Sequence, residues 1–242
     1  MVRLFESGLT RAITLAACLS PLSPAAYTAG QPDATALIQR VDRAVMARVD
    51  GIESYTVTEH YAVFRNLDEA HPVAEMTVKT EYRRDSGKSY TILSQTGSQV
   101  IRKFVLGSIL DNEKQINQPG VREGSWFVSA NYDMKLKSAA TERIDGRDCF
   151  ALSIAPKRKT PYLIVGTLWV DASDGSIVQI EGQSSKSPSL FTGPTQLSRH
   201  YTNVDGFAEA THAHAVSDSS LFGRTIVTID YSGYQIQRRQ AK

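Results

Sequence analysis

Two histidines at alternate positions come nearest, by type and spacing, to a metal site. His212 and His214 lie in a segment with strand character, so both imidazoles would share one face and could bind one ion. A third ligand is needed, and His200, Asp205 or Asp218 could supply it, although no spacing rule relates them to the pair. Two solvent-exposed strand histidines explain the same pattern. A metal-dependent hydrolase built on His200, His212 and His214 is therefore kept as an alternative.

Other chemical motifs give weaker signals. The sequence contains no Gly-x-Ser-x-Gly nucleophile elbow and no glycine-rich phosphate loop. The run Asp171–Gly175 resembles the start of a calcium loop, but the downstream acidic ligand of an EF-hand is missing and a hairpin turn explains it. The net charge is +2 with mixed signs along the chain, so no nucleic-acid footprint is present. We predict a protein that is not an enzyme and needs no cofactor.

The elements that would position these residues are mostly strands. Apolar and β-branched runs alternate with turns from residue 55 onward, and Asp-Gly pairs at 145–146, 174–175 and 205–206 separate successive runs. About ten strands follow one another without the helical crossovers of a parallel sheet, which predicts an antiparallel meander. With 41% hydrophobic residues the chain can bury a sizeable core in a single domain, residues 34–242, which we expect to be monomeric.

Two segments have helical rather than strand periodicity. The first begins after Asp33, a good N-cap residue, and ends near Gly51, with one apolar stripe that includes Leu37 and Val41. The second runs from about residue 97 to 116, with Gly107 as a weak point. An amphipathic helix cannot bury its apolar face alone, so we expect both helices to lie on the sheet.

The N-terminus has the pattern of an export signal. Residues 1–25 combine a basic start, a short apolar run and small residues before a cleavage point after Ala25, and residues 26–33 are typical of a linker. This predicts a periplasmic protein. The segment that ends at Cys18 is also similar to a lipobox, which would make the protein a lipoprotein tethered to the membrane through Cys18. If Cys18 is removed or acylated, Cys149 has no partner for an internal disulfide.

Across roughly residues 34–236 the sequence resembles the LolA-like outer-membrane lipoprotein-sorting proteins, in a divergent branch of Gram-negative bacteria. The order of signal segment, helix, long hairpin, helix and β-meander carries the resemblance, together with these motifs: Asn131-Tyr132, Ile144-Asp145-Gly146-Arg147, residues 166–171, Ile180-Glu181-Gly182, residues 186–189 and residues 222–231. It implies a mainly β (α+β) fold, an antiparallel, unclosed half β-barrel with two or more α-helices covering its concave face, as in LolA, LolB and RseB-like proteins.

The resemblance also implies a function. Such proteins hold lipoprotein acyl chains or other lipid-like ligands, which bind by burying methylene groups and therefore need no sharp motif. An envelope sensor or adaptor that binds a membrane-protein partner is the second alternative. Candidate residues for an apolar lining, each of which an ordinary core position would also explain, are Leu37, Val41, Tyr61, Met76, Val78, Tyr82, Phe104, Val105, Trp126, Trp169 and Phe191.

Overall fold

One antiparallel sheet of eleven described strands forms most of the fold. The computed structural model describes residues 33–66, 68–187, 193–220 and 223–240. The strands are β1 (Ile52–Arg65), β2 (Ala74–Arg83), β3 (Gly87–Gly97), β4 (Tyr132–Leu136), β5 (Glu142–Ile144), β6 (Arg147–Pro156), β7 (Ile164–Asp171), β8 (Ile177–Ser184), β9 (Gln196–Val204), β10 (Phe207–Ser219) and β11 (Gly223–Arg238).

In this sheet the first and the last strand of the chain pair with each other near the middle of the strand order. Its strand order is β3-β2-β1-β11-β10-β9-β8-β7-β6-β4, and β5 pairs with β6 beside this path. The first and last strands of the chain are therefore neighbours, with Tyr61 opposite Ile229. Within the described residues the end strands β3 and β4 do not pair with each other, so the curled sheet stays open as a half-barrel.

Helices cover the concave face in two places. Helix α1 (Ala34–Gly51) begins where the Asp33 carboxylate accepts hydrogen bonds from the backbone N–H groups of Thr35 (2.9 Å) and Ala36 (3.3 Å), which satisfies donors that a helix start leaves free. The second helical segment consists of α2 (Gln99–Ile101), a π-helical turn (Arg102–Leu106) and α3 (Gly107–Ile116).

Each helical element closes its own hydrophobic core. Leu37 and Val41 of α1 are fully buried in a cluster that contains Leu152, Leu168 and Ile180 from the second half of the meander. The second segment packs on the other half of the sheet, in a cluster formed by Ile101, Leu106, Leu110, Tyr61, Val63, Met76, Val78, Ala213 and Ile229. The two cores are separate, and part of the concave face between the two helical elements remains uncovered.

The predicted fold class is confirmed. The structure is mainly β, antiparallel and unclosed, with helices on the concave face, and it has eleven described strands where the sequence predicts about ten. The extra strand is β5, whose three residues are too few and too exposed to produce a recognisable apolar alternation. The predicted signal segment lies outside the described residues, as do Cys18 and all of the predicted linker except Asp33.

The turn after β7 fixes the position of α1 on the sheet. Gly175 has φ +77°, and a Cβ atom there would lie 2.8 Å from the backbone carbonyl carbon of Arg40 in α1. Gly146 has nearly the same backbone, φ +79°, but a Cβ atom there would have nothing within 4 Å of it. The two glycines therefore form a matched pair, in which only Gly175 contacts the helix.

We expect Gly146→Ala to lower the free energy of unfolding by about 1 kcal/mol, because alanine is strained at positive φ. Gly175→Ala should lower it by about 2 kcal/mol, because the same strain is joined by a clash with the α1 backbone. Urea unfolding of the two variants measures the difference. Equal losses of unfolding free energy in the two variants would show that the contact between α1 and the turn at Gly175 does not restrict the side chain there.

Candidate functional site

A cavity of about 670 Å³ lies on the concave face between the two helical elements. Its walls are the C-terminal half of α1, helix α3, the segment around the 3-10 turn Arg122–Ser125 and the middle of the sheet. This volume is within the range of small-molecule sites in proteins, about 300–1,000 Å³. Apolar residues from both helices, such as Val45 of α1 and Ile109 of α3, continue into the cavity wall.

Aliphatic and aromatic side chains form a large part of the cavity wall. They come from every element around it, so an apolar ligand would touch both helices and the sheet at once. The main apolar members of the lining are Val45, Val49, Ile109, Ile116, Trp126, Phe127, Ile164, Ile177, Leu197 and Phe207.

Tyrosine rings and guanidinium groups line one end. Tyr55 of β1 stacks on Tyr82 of β2 with ring centroids 5.0 Å apart, and Tyr234 of β11 lies 5.9 Å from Tyr55. Arg48 lies over the Tyr55 ring at 6.0 Å, and Arg122 lies over the Tyr82 ring at 5.6 Å. The faces of the tyrosine rings are apolar, whereas their hydroxyl groups and the guanidinium groups are polar, so this end of the cavity is amphipathic.

A two-point ion pair holds α1 to the sheet at this end. Arg48 donates from Nε to Glu209 Oε1 (2.9 Å) and from Nη2 to Glu209 Oε2 (2.8 Å). Glu209 of β10 is 3% exposed, so its charge depends on this contact. The pair fixes the C-terminal half of α1, which is one wall of the cavity.

Four charged side chains of the cavity wall act electrostatically on the phenol of Tyr231. They are Glu59, Lys88, Glu113 and Arg199, and together with Tyr231 we call them the charged cluster. Lys88 Nζ donates to Glu113 Oε2 at 2.9 Å, and this ion pair links β3 to α3. Burial raises the pKa of Tyr231, which keeps the phenol neutral among these charges.

The Lys88–Glu113 pair holds both groups in their charged forms. Burial alone would raise the pKa of Glu113, but Lys88, and after it Arg199, lower the pKa of Glu113 to about 2. Burial alone would lower the pKa of Lys88, but Glu113 raises it well above its ordinary value. The cavity therefore contains fixed charges at neutral pH.

Glu59 is the most buried member of the charged cluster. It is 2% exposed, its Oε2 accepts a hydrogen bond from the Tyr61 hydroxyl, and its Oε1 is buried without a partner among the described residues. The proximity of this carboxylate, after burial itself, raises the pKa of Tyr61 well above its ordinary value. The contact therefore keeps Tyr61 protonated as a donor to Glu59.

The structure places the predicted lining residues in several environments. Tyr82 and Trp126 line the cavity. Leu37 and Val41 lie in the core beneath α1, Tyr61, Met76 and Val78 are buried in the second core, and Val105 packs against that core. These six side chains belong to the contacts between sheet and helices and are not part of the cavity wall. Phe191 is outside the described residues.

Two of the predicted lining residues lie on the outside of the described structure. Trp169 is on the face of β7 opposite the buried Leu168 and Val170, and its Nε1 donates to Glu142 Oε2 at 2.9 Å. Strand alternation therefore turns this indole away from the concave face. Phe104 is 56% exposed, because it lies on the side of the π-helical turn away from Leu106, which is buried.

The histidines are dispersed among carboxylates on the outer face. His212 and His214 flank Ala213, which is buried in the second core, so both point to the opposite side of β10. No group of three or more His, Cys, Asp or Glu side chains in the described parts of the chain is arranged to hold a metal ion. Each of the three predicted ligands contacts a different carboxylate: His200 Nδ1 lies 2.9 Å from Asp145 Oδ2, His212 Nδ1 2.7 Å from Asp230 Oδ1 and His214 Nε2 3.6 Å from Glu69 Oε2.

No helix among the described residues has the length and apolar character required to span a bilayer.

Comparison with solved structures finds matches at low sequence identity. A putative outer membrane lipoprotein-sorting protein domain from Vibrio parahaemolyticus is 13% identical, with a TM-score of 0.48, over 85% of this chain and 94% of that one. A LolA superfamily protein from Nitrosomonas europaea has the same identity and coverage and a TM-score of 0.45. A DUF1329 family protein from Desulfovibrio piger is 15% identical, with a TM-score of 0.43, over 84% and 93%. No family model and no curated protein matches the sequence.

Proposed function

We propose that the protein is a binding protein for an amphiphilic, lipid-like ligand, whose hydrocarbon part occupies the cavity between α1, α3 and the sheet. The observation that carries this proposal is the cavity itself, about 670 Å³ with apolar side chains contributed from both helices and several strands. A ligand of eight methylene groups would gain about 6 kcal/mol from leaving water, at about 0.8 kcal/mol each. That gain is large enough to offset much of the cost of association.

The chemistry of the cavity supports binding rather than catalysis. Lys88 would be the natural nucleophile or base, but its ion pair with Glu113 raises its pKa and keeps the amine protonated. Arg48 and Glu209 are likewise engaged with each other. Charged groups that are already paired in this way are poorly placed to exchange protons with a ligand.

The proposal places the protein in the periplasm, with lipoprotein acyl chains as one source of the hydrocarbon. The N-terminal sequence pattern supports export, and the resemblance to lipoprotein-sorting proteins supports an acylated ligand. A role in moving lipid-like molecules across the envelope follows from these two points together.

Filling the cavity from α1 tests the proposal. Ala44 lines the cavity, whereas Ala36 is exposed on the same helix away from it. We expect the neutral fluorophore N-phenyl-1-naphthylamine to bind the wild-type protein at one site, and Ala44→Phe to weaken binding at least tenfold because the new ring occupies the ligand's volume. Ala36→Phe should bind the fluorophore as the wild type does, because its ring would lie outside the cavity. It replaces alanine by phenylalanine in the same helix, so it controls for the effect of this substitution on the helix.

Fluorescence titration of the three proteins gives the answer. Equal binding by Ala44→Phe and Ala36→Phe would place the fluorophore outside the cavity. A wild-type protein that does not bind the fluorophore would reject the proposal.

Binding of a partner protein is a second candidate function, and one observation favours it. The end strand β3 and the adjoining helical turn expose apolar side chains, including Ile92, Leu93, Val100 and Phe104, each at least half exposed. An end strand offers its outer backbone groups to a strand from another protein. A stable complex with a membrane protein, with the cavity empty, would support this function over the first.

A further inference from the structure

The charged cluster supplies hydrogen-bonding groups that a hydrocarbon cannot use. Glu59 lines the cavity, and its Oε1 is buried without a partner among the described residues. An unpaired buried acceptor of this kind is costly, and native proteins normally satisfy it. A donor on the ligand would remove the cost, so Glu59 marks where the polar part of a ligand would lie.

Arg199 provides the complementary group. It lies in the middle of β9, faces the cavity and contacts the Tyr201 side chain. Its Nε is buried without a hydrogen-bond partner in the described part of the chain, and two carboxylates of the cavity, Glu209 and Glu113, form ion pairs with Arg48 and Lys88 instead. A guanidinium has only donors, so a ligand group that contacts it must accept hydrogen bonds.

The sheet brings these two groups to the same place. Glu59 is opposite Tyr231 in the pairing of β1 with β11, and Arg199 is opposite Ala213 in the pairing of β9 with β10. Two strands therefore separate their backbones, roughly 14 Å across three strand spacings. Both long side chains lie on the concave face, line the same cavity and act electrostatically on the Tyr231 phenol. A head group in the cavity beside this phenol would direct a donor toward Glu59 and an acceptor toward Arg199.

The charge of the cluster limits what the head group can be. Lys88 and Arg199 are positive, Glu59 and Glu113 are negative, and the formal sum is zero. The neighbouring Arg48–Glu209 pair is also neutral. The other two arginines of the lining are paired as well, Arg122 with Glu123 at 3.4 Å and Arg147 with Asp171 at 2.7 Å. An anionic head would add a net charge to a buried site and would face the Glu59 carboxylate. An uncharged head adds no net charge and can satisfy both free groups.

We propose that the charged cluster is a head-group site, in which Glu59 accepts a hydrogen bond from a ligand hydroxyl and Arg199 donates to a ligand carbonyl. The ligand class is an uncharged acyl amphiphile with free hydroxyl groups, and not a free fatty acid. This inference rests on the proposed function, because the acyl chain of the same ligand occupies the apolar part of the cavity.

Three probes with the same myristoyl chain but different head groups test the proposed head-group site. 1-Monomyristoylglycerol has hydroxyl donors and a carbonyl, methyl myristate has the carbonyl alone, and myristate is an anion without a donor. We expect the monoglyceride to displace the fluorophore from the wild-type protein at about tenfold lower concentration than either of the others, since one hydrogen bond to a charged group is worth about that factor.

A variant of the charged cluster is expected to change the order of affinities among the three probes. Glu59→Gln leaves the cluster with a net charge of +1, so it should weaken the monoglyceride about tenfold and make myristate the tightest of the three probes. Glu53→Gln, at an exposed position of the same strand, should keep the wild-type order.

The outcomes separate the two proposals. If the wild-type protein binds myristate or methyl myristate as tightly as the monoglyceride, the head-group assignment is overturned while the binding function stands. Because this comparison uses only the wild-type protein, it does not depend on how the variants fold. If neither the fluorophore nor any of the three probes binds, the proposed function itself fails.

Discussion

Arg48→Met is expected to lower the free energy of unfolding by about 3 kcal/mol, because it leaves Glu209 buried and negatively charged without a partner. Arg48 is 34% exposed, which places the expected loss at the lower end of the range for buried pairs, whereas Glu209 at 3% has little access to water. Methionine keeps an apolar side chain at this position, so the change removes the charge, the two hydrogen bonds and the contact of the guanidinium with the Tyr55 ring.

Two further variants isolate the ion pair. Arg43→Met changes an exposed arginine of the same helix and should alter stability by less than about 0.5 kcal/mol. The double variant Arg48→Met/Glu209→Leu should recover most of the loss, because it removes both charges from the contact. Urea unfolding measures all of these proteins. A double variant no more stable than Arg48→Met alone would mean that the unpaired charge of Glu209 is not the source of the loss.

Lys88→Met is expected to have a similarly large effect, about 3 kcal/mol at pH 7, since Glu113 would lose its paired cation in the same way. The effect should depend on pH. The pKa of Glu113 is lowered from 4.5 to about 2 in the folded protein, so its contribution is fully present above pH 4.5 and is lost as the pH falls toward 2. That contribution is about 3 kcal/mol in the wild-type protein.

Unfolding measured at pH 7 and at pH 2.5 tests this expectation. The stability difference between wild type and Lys88→Met should be large at pH 7 and should shrink at pH 2.5. Lys79→Met breaks the exposed Lys79–Glu81 pair on the neighbouring strand and should change stability by less than about 1 kcal/mol at either pH. A gap between wild type and Lys88→Met that stays constant over this range would show that Glu113 does not carry the pH dependence.

Local signals predict the elements of this fold well. Asp33 caps α1, and the helix ends at Gly51 as its apolar stripe indicates. The Asp-Gly pairs at 145–146 and 205–206 have positive φ at both residues, as a two-residue hairpin turn requires. At 174–175 only the glycine has positive φ. These features depend on neighbouring residues alone, which is why a sequence shows them.

The helical segment from 99 to 116 is predicted less completely. Its period indicates a helix, and Gly107 marks the weak point, but the residues before Gly107 form a π-helical turn. A π turn accommodates one extra residue, and the packing of Ile101 and Leu106 on the sheet decides where it falls. Such packing depends on strands that are distant in the sequence.

The sequence indicates the charged cluster, but a search for alternating apolar residues does not detect it. Tyr55, Val57, Tyr61 and Val63 alternate on the buried face of β1, and Glu59 occupies the one position among them where an apolar residue is expected. Arg199 interrupts β9 in the same way. A charged residue at a buried position of a strand is therefore the feature to look for.

The partners of these charges could not be read from the sequence. Lys88 and Glu113 are 25 positions apart, and Arg48 and Glu209 are 161 positions apart. Their contacts require the sheet to curl and both helices to lie on it. Apolar residues such as Leu37 and Met76 have the character of a lining, but the same character places them in the two cores.

Native mass spectrometry of the protein purified from its own cell envelope tests the central claim most directly. The wild-type protein should carry a bound hydrophobic molecule, seen as a defined mass excess that is released on unfolding. The same preparation of Ala44→Phe should lack that excess, and Ala36→Phe should keep it. A wild-type protein that always has the mass of its polypeptide alone, or an excess that Ala44→Phe retains in full, would contradict the assignment of the cavity as a ligand site.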